Sequence, residues 1–236
     1  MSEPMLKISV EGNIATLTMN RPDKRNAMCE ALLGDLDTFF SNPPKEVRVV
    51  IITGTAGHYC SGLDLSEHVH RSAEENLYHS RAWHGVMEKI QFGGLAVVSA
   101  MFGAVIGGGL EIAAATHVRI AEPSTIFQLP EGRRGIFVGG GATARVGRLI
   151  GADRMTEMML TGRKYNADEG LALGLTHYSV GEGEALELAQ QLAGKISRNA
   201  PLSNYMMIQS ISRINDMSQS DGLFTESLVA AMSQTT

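Results

Sequence analysis

Apolar and polar residues alternate with period two over 6–10 and again over 13–19, on either side of Glu11-Gly12, which predicts a β-hairpin. Past a charged turn, Arg21-Pro22-Asp23-Lys24-Arg25-Asn26, the period lengthens. Met28, Leu32, Leu36, Phe39 and Phe40 share one face of a helix predicted over 27–40, and Asn42-Pro43-Pro44 ends it. The β-branched run VRVVIIT at 47–53 reads as a buried strand and leads into a small-residue loop, GTAGHYCSGLDL. Residues 68–91 are polar with scattered anchors (Leu77, Trp83, Val86, Met87, Ile90), which predicts a mobile loop and then a helix. VVSAMFGAVI at 97–106 predicts a second buried strand, and the AAAT after Glu111 the start of a helix. A helix is predicted over 142–150. From Met155 the pattern stays helical, interrupted at Gly162, Gly174 and 181–183, with an amphipathic helix over 185–196. Another is predicted over 201–214, with proline in its first turn. Strands and helices alternate early and helices fill the last third, so the expected class is an α/β core with a helical appendage. No low-complexity linker marks independent domains.

One internal echo adds geometry. Residues 96–112, AVVSAMFGAVIGGGLEI, lie without a gap on 49–65, VVIITGTAGHYCSGLDL. Two stacked strand–glycine–acid units would bring the turns at 61–63 and 107–109 side by side, each offering an N–H to one oxygen.

Composition removes several function classes. Hydrophobic residues make up 44% and charged residues 19%, ordinary for a soluble globular protein, and 236 residues are enough for a sizeable core. A formal charge of −5 leaves no footprint for nucleic acid or an anionic membrane. Cys29 and Cys60 supply neither a disulfide framework nor metal-ligand spacing, which points to a reducing compartment. The start MSEPMLKISV does not resemble a secretory signal, and no apolar run reaches the roughly 18 residues of a membrane span. A cytoplasmic location is expected.

Candidate chemistry concentrates at 103–141. A glycine triplet (Gly107, Gly108, Gly109) precedes Glu111; a second carboxylate, Glu131, follows Pro130; a second triplet (Gly139, Gly140, Gly141) closes the stretch. Glycines between strand and helix let a ligand approach the backbone, and the helix dipole favours negative charge there. This reads as an oxyanion site beside two carboxylates. Taken alone, Glu111 would be an ordinary helix-start acid and Glu131 a surface turn residue. His58, His68, His70 and His79 suggest metal, but no HxxxH or cysteine partner accompanies them, so no metal is expected. Cys60 has no histidine placed to activate it and reads as small packing. The first glycine triplet does not make GxGxxG, and nothing resembles GxxxxGK[ST].

RPDKRNAM, HYCSGLDL, GAVIGGGLEIA, LPEGRRGIFVGGG and TGRKYNADEGLALGL, in order and together, resemble the crotonase (enoyl-CoA hydratase/isomerase) family. The resemblance implies a spiral of β-β-α units over 1–190, packed as two near-perpendicular sheets, a C-terminal helical trimerisation region over 191–236, and homotrimers that often pair. It implies an acyl-CoA substrate, with no separate cofactor, whose enolate oxygen is held by the N–H groups of Leu63 and Gly108. Such donors are worth about 3 to 4 kcal/mol of barrier each. Glu111 and Glu131 match the acid/base positions of the hydratases. Lys24, Arg25, Ala27, Ser61, Gly62, Asp64 and Leu65 match the coenzyme-binding positions, although Asp64 suits a turn-stabilising role and Lys24 and Arg25 also read as a solvated turn.

Both carboxylates make sense for hydration, in which water must reach Cβ while a proton reaches Cα. Two carboxyls flanking one water push their pKa values apart and titrate as a unit. The expected reaction is hydration of a 2-enoyl-CoA, with Glu111 orienting water and Glu131 protonating Cα. Isomerisation, thioester hydrolysis or non-catalytic coenzyme binding are the alternatives. Phe137-Val138 stand where typical short-chain hydratases carry a proline, and this segment is closer to the methylthioacryloyl-CoA hydratase branch. Arg133 and Arg134 are expected to pair with neighbouring carboxylates or at a subunit contact. The chain stops where relatives usually add a helix over the acyl pocket, so a truncated or disordered end is expected.

Overall fold

The computed structural model describes residues 3–67 and 71–234. The predicted hairpin forms as β1 (Leu6–Glu11) and β2 (Ile14–Met19), antiparallel, with Glu11 opposite Ile14 and Gly12 at φ +59° in the turn. All of β1 except Leu6 is exposed or nearly so, as befits an edge strand, while β2 buries every second residue. A short 3₁₀ turn at Pro22–Lys24 leads to α1 (Glu30–Ser41), which buries Leu32, Leu33, Leu36, Phe39 and Phe40.

Next come β3 (Val49–Thr53), α2 (Ala73–Phe92), β4 (Ala96–Met101), β5 (Ala104–Ile106), α3 (Gly108–Ala115), β6 (Val118–Ala121) and β7 (Ile126–Gln128). A 3₁₀ turn at Glu131–Arg134 precedes α4 (Ala142–Ile150), α5 (Ala152–Thr161), α6 (Ala167–Leu173), β8 (Tyr178–Ser179), α7 (Ala185–Ile196), α8 (Pro201–Ile214) and α9 (Gln219–Ser233). One sheet runs β1-β2-β3-β4-β6-β8, parallel beyond the hairpin; β5 and β7 form a second, two-stranded parallel sheet. The architecture is the α/β class with C-terminal helices.

Every residue of β3 and β4 is buried because both faces of the sheet are covered. One face joins the main core with α1 and α2. The other holds Val49, Ile51, Ala96, Val98 and Ile120 against the alanine stripe of α7 (Ala185, Ala189, Ala193). Spacing of four puts those alanines in one row, and their small size lets the helix lie close. The division expected between 190 and 191 falls inside this helix.

Two local expectations are corrected. The apolar run 97–106 is two strands in different sheets, parted at Gly103, whose φ of +55° turns the chain and whose missing Cβ would lie 2.0 Å from Gly57 O. The helix after the first triplet begins at Gly108, and AAA is its last turn; Thr116 ends it with its hydroxyl on Ala113 O at 2.7 Å. The strand β8 was not expected.

The echo is physical where the strands pair. Val49 faces Ala96 and Ile52 faces Ser99, in the register of the sequence overlay. Further along, Cys60 meets Val105 rather than Gly107, so the two turns approach with a slip.

Candidate active site

The turn after β5 is built by Gly107, at φ +51°, whose N–H is held by Gln128 O at 2.9 Å. Gly108 then starts α3, so its N–H has no partner four residues back. The matching turn is fixed from the other side: Met28 N donates to Gly62 O at 2.7 Å and Asp64 N to Met28 O at 2.8 Å. This bridge leaves the intervening Leu63 N–H turned away from residue 28. Neither Leu63 N–H nor Gly108 N–H meets an acceptor among the described residues. The two are neighbours: a Cβ on Gly108 would lie 3.7 Å from Leu63 N, and one on Gly62 would lie 3.5 Å from Gly108 N.

Glu111, one turn into α3, is 4% exposed. Its Oε1 accepts from Gly140 N at 2.8 Å and Ala142 N at 3.1 Å. The second triplet therefore serves as a clamp, and a Cβ on Gly140 would fall 2.5 Å from Glu111 Oε2. Burial raises the Glu111 pKa against those two bonds and the nearby Arg145. Glu131 opens the 3₁₀ turn after Pro130 and is 9% exposed. Its Oε2 is buried with no hydrogen-bond partner among the described residues. Burial, reinforced by the Glu111 charge, pushes its pKa up to about 7. Both glutamates, Leu63 and Gly108 line one cavity of about 430 Å³, walled also by Trp83, Ile136, Phe137 and Val138.

The other sequence-selected residues gather beside Leu63 without lining that cavity. Asp64 is 5% exposed; it accepts from Ser66 Oγ at 2.7 Å, pairs with Arg21 at 2.8 Å and accepts from Ser66 N at 3.0 Å, which together hold its carboxyl well below the usual range. It is a turn-stabilising group. Lys24 lies 3.8 Å from Asp64 and donates to Ser66 Oγ at 3.2 Å. Ser61 donates its N–H to Arg25 O and its hydroxyl to Lys24 O, both at 3.1 Å. Arg25 is left-handed, φ +49°, Ala27 is buried and Leu65 is exposed. Buried Asn26, overlooked in the sequence, ties this turn to Thr55 O and His58 O at 3.0 and 2.7 Å.

The wall contributed by α2 was also missed. Arg71 precedes the helix, and Asn76, His79, Ser80 and Trp83 recur at helical spacing on the side facing the cavity; that spacing was the available signal. Arg133 pairs with no carboxylate among the described residues: its Nη2 donates to Thr161 O at 3.0 Å and Gly162 O at 3.3 Å, covering the open end of α5. Cys60 is fully buried, and burial pushes its thiol up to about 12, as suits packing. His58 accepts from Ala104 N at 3.1 Å; His68 and His70 lie outside the described residues.

A spiral of stacked turns with two open N–H groups and two buried carboxyls around one cavity defines a class, and comparison with known proteins gives the same one. Residues 9–231 match the sequence profile of the enoyl-CoA hydratase/isomerase family, and the chain belongs to that family. It is 32% identical over 206 residues to a short-chain-enoyl-CoA hydratase of Clostridium acetobutylicum, covering 86% of this chain and 79% of that one. It is 33% identical over 226 residues to the mitochondrial enoyl-CoA hydratase domain-containing protein 2 of Bos taurus, covering 92% and 76%. A crystal structure from Rhodopseudomonas palustris, provisionally named an enoyl-CoA hydratase, shares 44% identity with a TM-score of 0.96 over 98% of this chain and 90% of that one.

Proposed function

We propose that the protein hydrates a 2-enoyl-CoA thioester. The observation that carries this reading is Glu131 Oε2, buried and without a partner among the described residues, in the same cavity as Glu111 and the two open N–H groups. A thioester oxygen between Leu63 N–H and Gly108 N–H would gain negative charge as water adds to Cβ. Glu111, anchored at Oε1, takes a proton from the water as the O–Cβ bond forms and the double-bond pair moves toward the thioester. Glu131, which holds its proton up to about pH 7, delivers it to Cα. One water is added in total, and proton exchange between the carboxyls and solvent resets the pair. No cofactor is required, since coenzyme A arrives with the substrate.

The patch of Lys24, Arg25, Ala27, Ser61, Gly62, Asp64 and Leu65 is the proposed coenzyme site, supported by its contiguity with Leu63. Phe137 and Val138 on the cavity wall support a 3-substituted acryloyl group. Assembly is proposed as a homotrimer or a pair of trimers, in the cytoplasm. The two buried free thiols support that location. No helix among the described residues is long and apolar enough to cross a membrane.

Glu131→Gln tests the pair. The variant keeps the affinity for an acyl-CoA by calorimetry, while hydration, followed by loss of enoyl absorbance, falls by about 10²- to 10⁴-fold. Near-normal turnover would remove Glu131 from the mechanism.

A further inference from the structure

Glu111 depends on a loop with no side chains of its own. The donors to its Oε1 are the N–H groups of Gly140 and Ala142, and Gly141 between them sits at φ +105°. Three consecutive glycines have wide conformational freedom, so their aim must come from outside the loop. Ser80 Oγ donates to Gly139 O at 2.6 Å, and Arg145 Nη1 donates to Gly140 O at 3.3 Å. Arg145 folds back over the start of its own helix so closely that a Cβ on Gly141 would lie 2.2 Å from Nη1. Its Nε is fixed by Gln91 Oε1 at 2.6 Å. Gln91 is fixed in turn: its carbonyl meets His117 Nε2 at 2.9 Å, and His117 Nδ1 accepts from Val97 N of β4 at 2.9 Å.

Helix stability does not explain an arginine in this place. Arg145 lies in the first turn of α4, where the macrodipole disfavours a cation. What offsets this is negative charge from Glu111 and Glu88.

We propose that Arg145, set by Gln91, is a positioning residue for Glu111: it clamps the Gly140 peptide so that its N–H stays on Oε1, and its charge favours the carboxylate. The assignment rests on the hydratase reading for what Glu111 does, but not for what holds it. The other charged or titratable groups around the pair are Glu131, Arg71 and His79 at the cavity, with His84 and Glu88 beside Arg145 on α2. The Arg145 cation lowers the Glu111 pKa, so its removal raises it.

The experiment compares wild type, Arg145→Met and Gln91→Leu by kinetics against pH and by the Gly140 amide resonance, which reports the bond to Glu111 directly. In Arg145→Met, kcat falls about 10- to 100-fold with KM within about threefold, as for a misplaced catalytic group. The acid limb of kcat and the pH midpoint of the Gly140 amide both move up by roughly half a unit or more. Gln91→Leu, which keeps the charge but frees the guanidinium, lowers kcat with a smaller change of midpoint and covers the case in which Arg145→Met does not fold. A wild-type amide shift and pH profile in both variants overturn the assignment, as does a raised KM with unchanged kcat. If the wild type hydrates no ester, the proposed reaction fails, and the amide titration still decides whether Arg145 holds the Glu111 clamp.

Discussion

Glu131 carries its proton at a pH where an exposed glutamate has lost it. Its folded-state pKa of about 7 stands against 4.5 for the ordinary group. Between those values the folded protein binds a proton that the unfolded chain releases, so the group's contribution to stability falls as pH rises from about 4.5 through about 7. Glu131→Gln removes that loss. Its Tm relative to wild type should climb across this window, read by thermal unfolding at its two ends; a pH-independent difference contradicts the raised pKa. At this scale the sequence drew attention to Glu111 and Glu131, which the fold brings to one cavity, because a carboxylate next to glycines or a proline is visible in one dimension. It was a poor guide to Arg145, Gln91 and Ser80. Their reach depends on where α2 and α4 meet, which no local pattern encodes. Arg133 shows the same dependence: within the chain its acceptors are carbonyls of a helix end some thirty residues on rather than a neighbouring carboxylate.

Among the elements, the pairing of two turns does most to make the site. Gly109 sits where α3 crosses the end of the first turn, and a Cβ there would meet Cys60 O at 2.3 Å and Cys60 Cβ at 2.9 Å. Gly109→Ala should therefore cost about 1–3 kcal/mol, since backbone must move on both sides. At roughly 2 to 4 °C per kcal/mol for a chain of this size, the loss is readable in Tm. Activity should fall further than stability, because the same shift parts Leu63 N–H from Gly108 N–H. Gly34→Ala in α1, where nothing lies within 4 Å of the added carbon, is the control and should be neutral or stabilising. Equal effects of the two substitutions would deny the turn contact. The hairpin, α1, α4, α7 and α8 were legible because their periods hold over several residues and prolines mark an end of α1 and of α8. The break at Gly103 was not, since an apolar run looks alike whether one strand or two use it. The two residues of β8 are too few for any period.

For the whole molecule, the exposed apolar surface of the last two helices has consequences. No residue of α8 is buried and only Gly222 of α9 is, while Met207, Ile211, Leu223, Phe224 and Leu228 are open to solvent. Exposed apolar side chains of this size are what a contact between copies would cover, which suits the proposed trimer. Light scattering should give three or six times the 25.3 kDa of one chain, and a concentration-independent monomer contradicts that assembly. The α/β class and helical C-terminus were legible from the order of periods alone; the oligomer was implied only by the family likeness.

The most direct test of the central reading is mass spectrometry of crotonyl-, 3-substituted acryloyl- and aryl-acryloyl-CoA incubated with the protein in ¹⁸O-water. The expected product is a 3-hydroxyacyl-CoA carrying one labelled oxygen, formed fastest from the 3-substituted acryloyl ester. Labelled free acid with released coenzyme A, or a double-bond isomer without label, would contradict hydration.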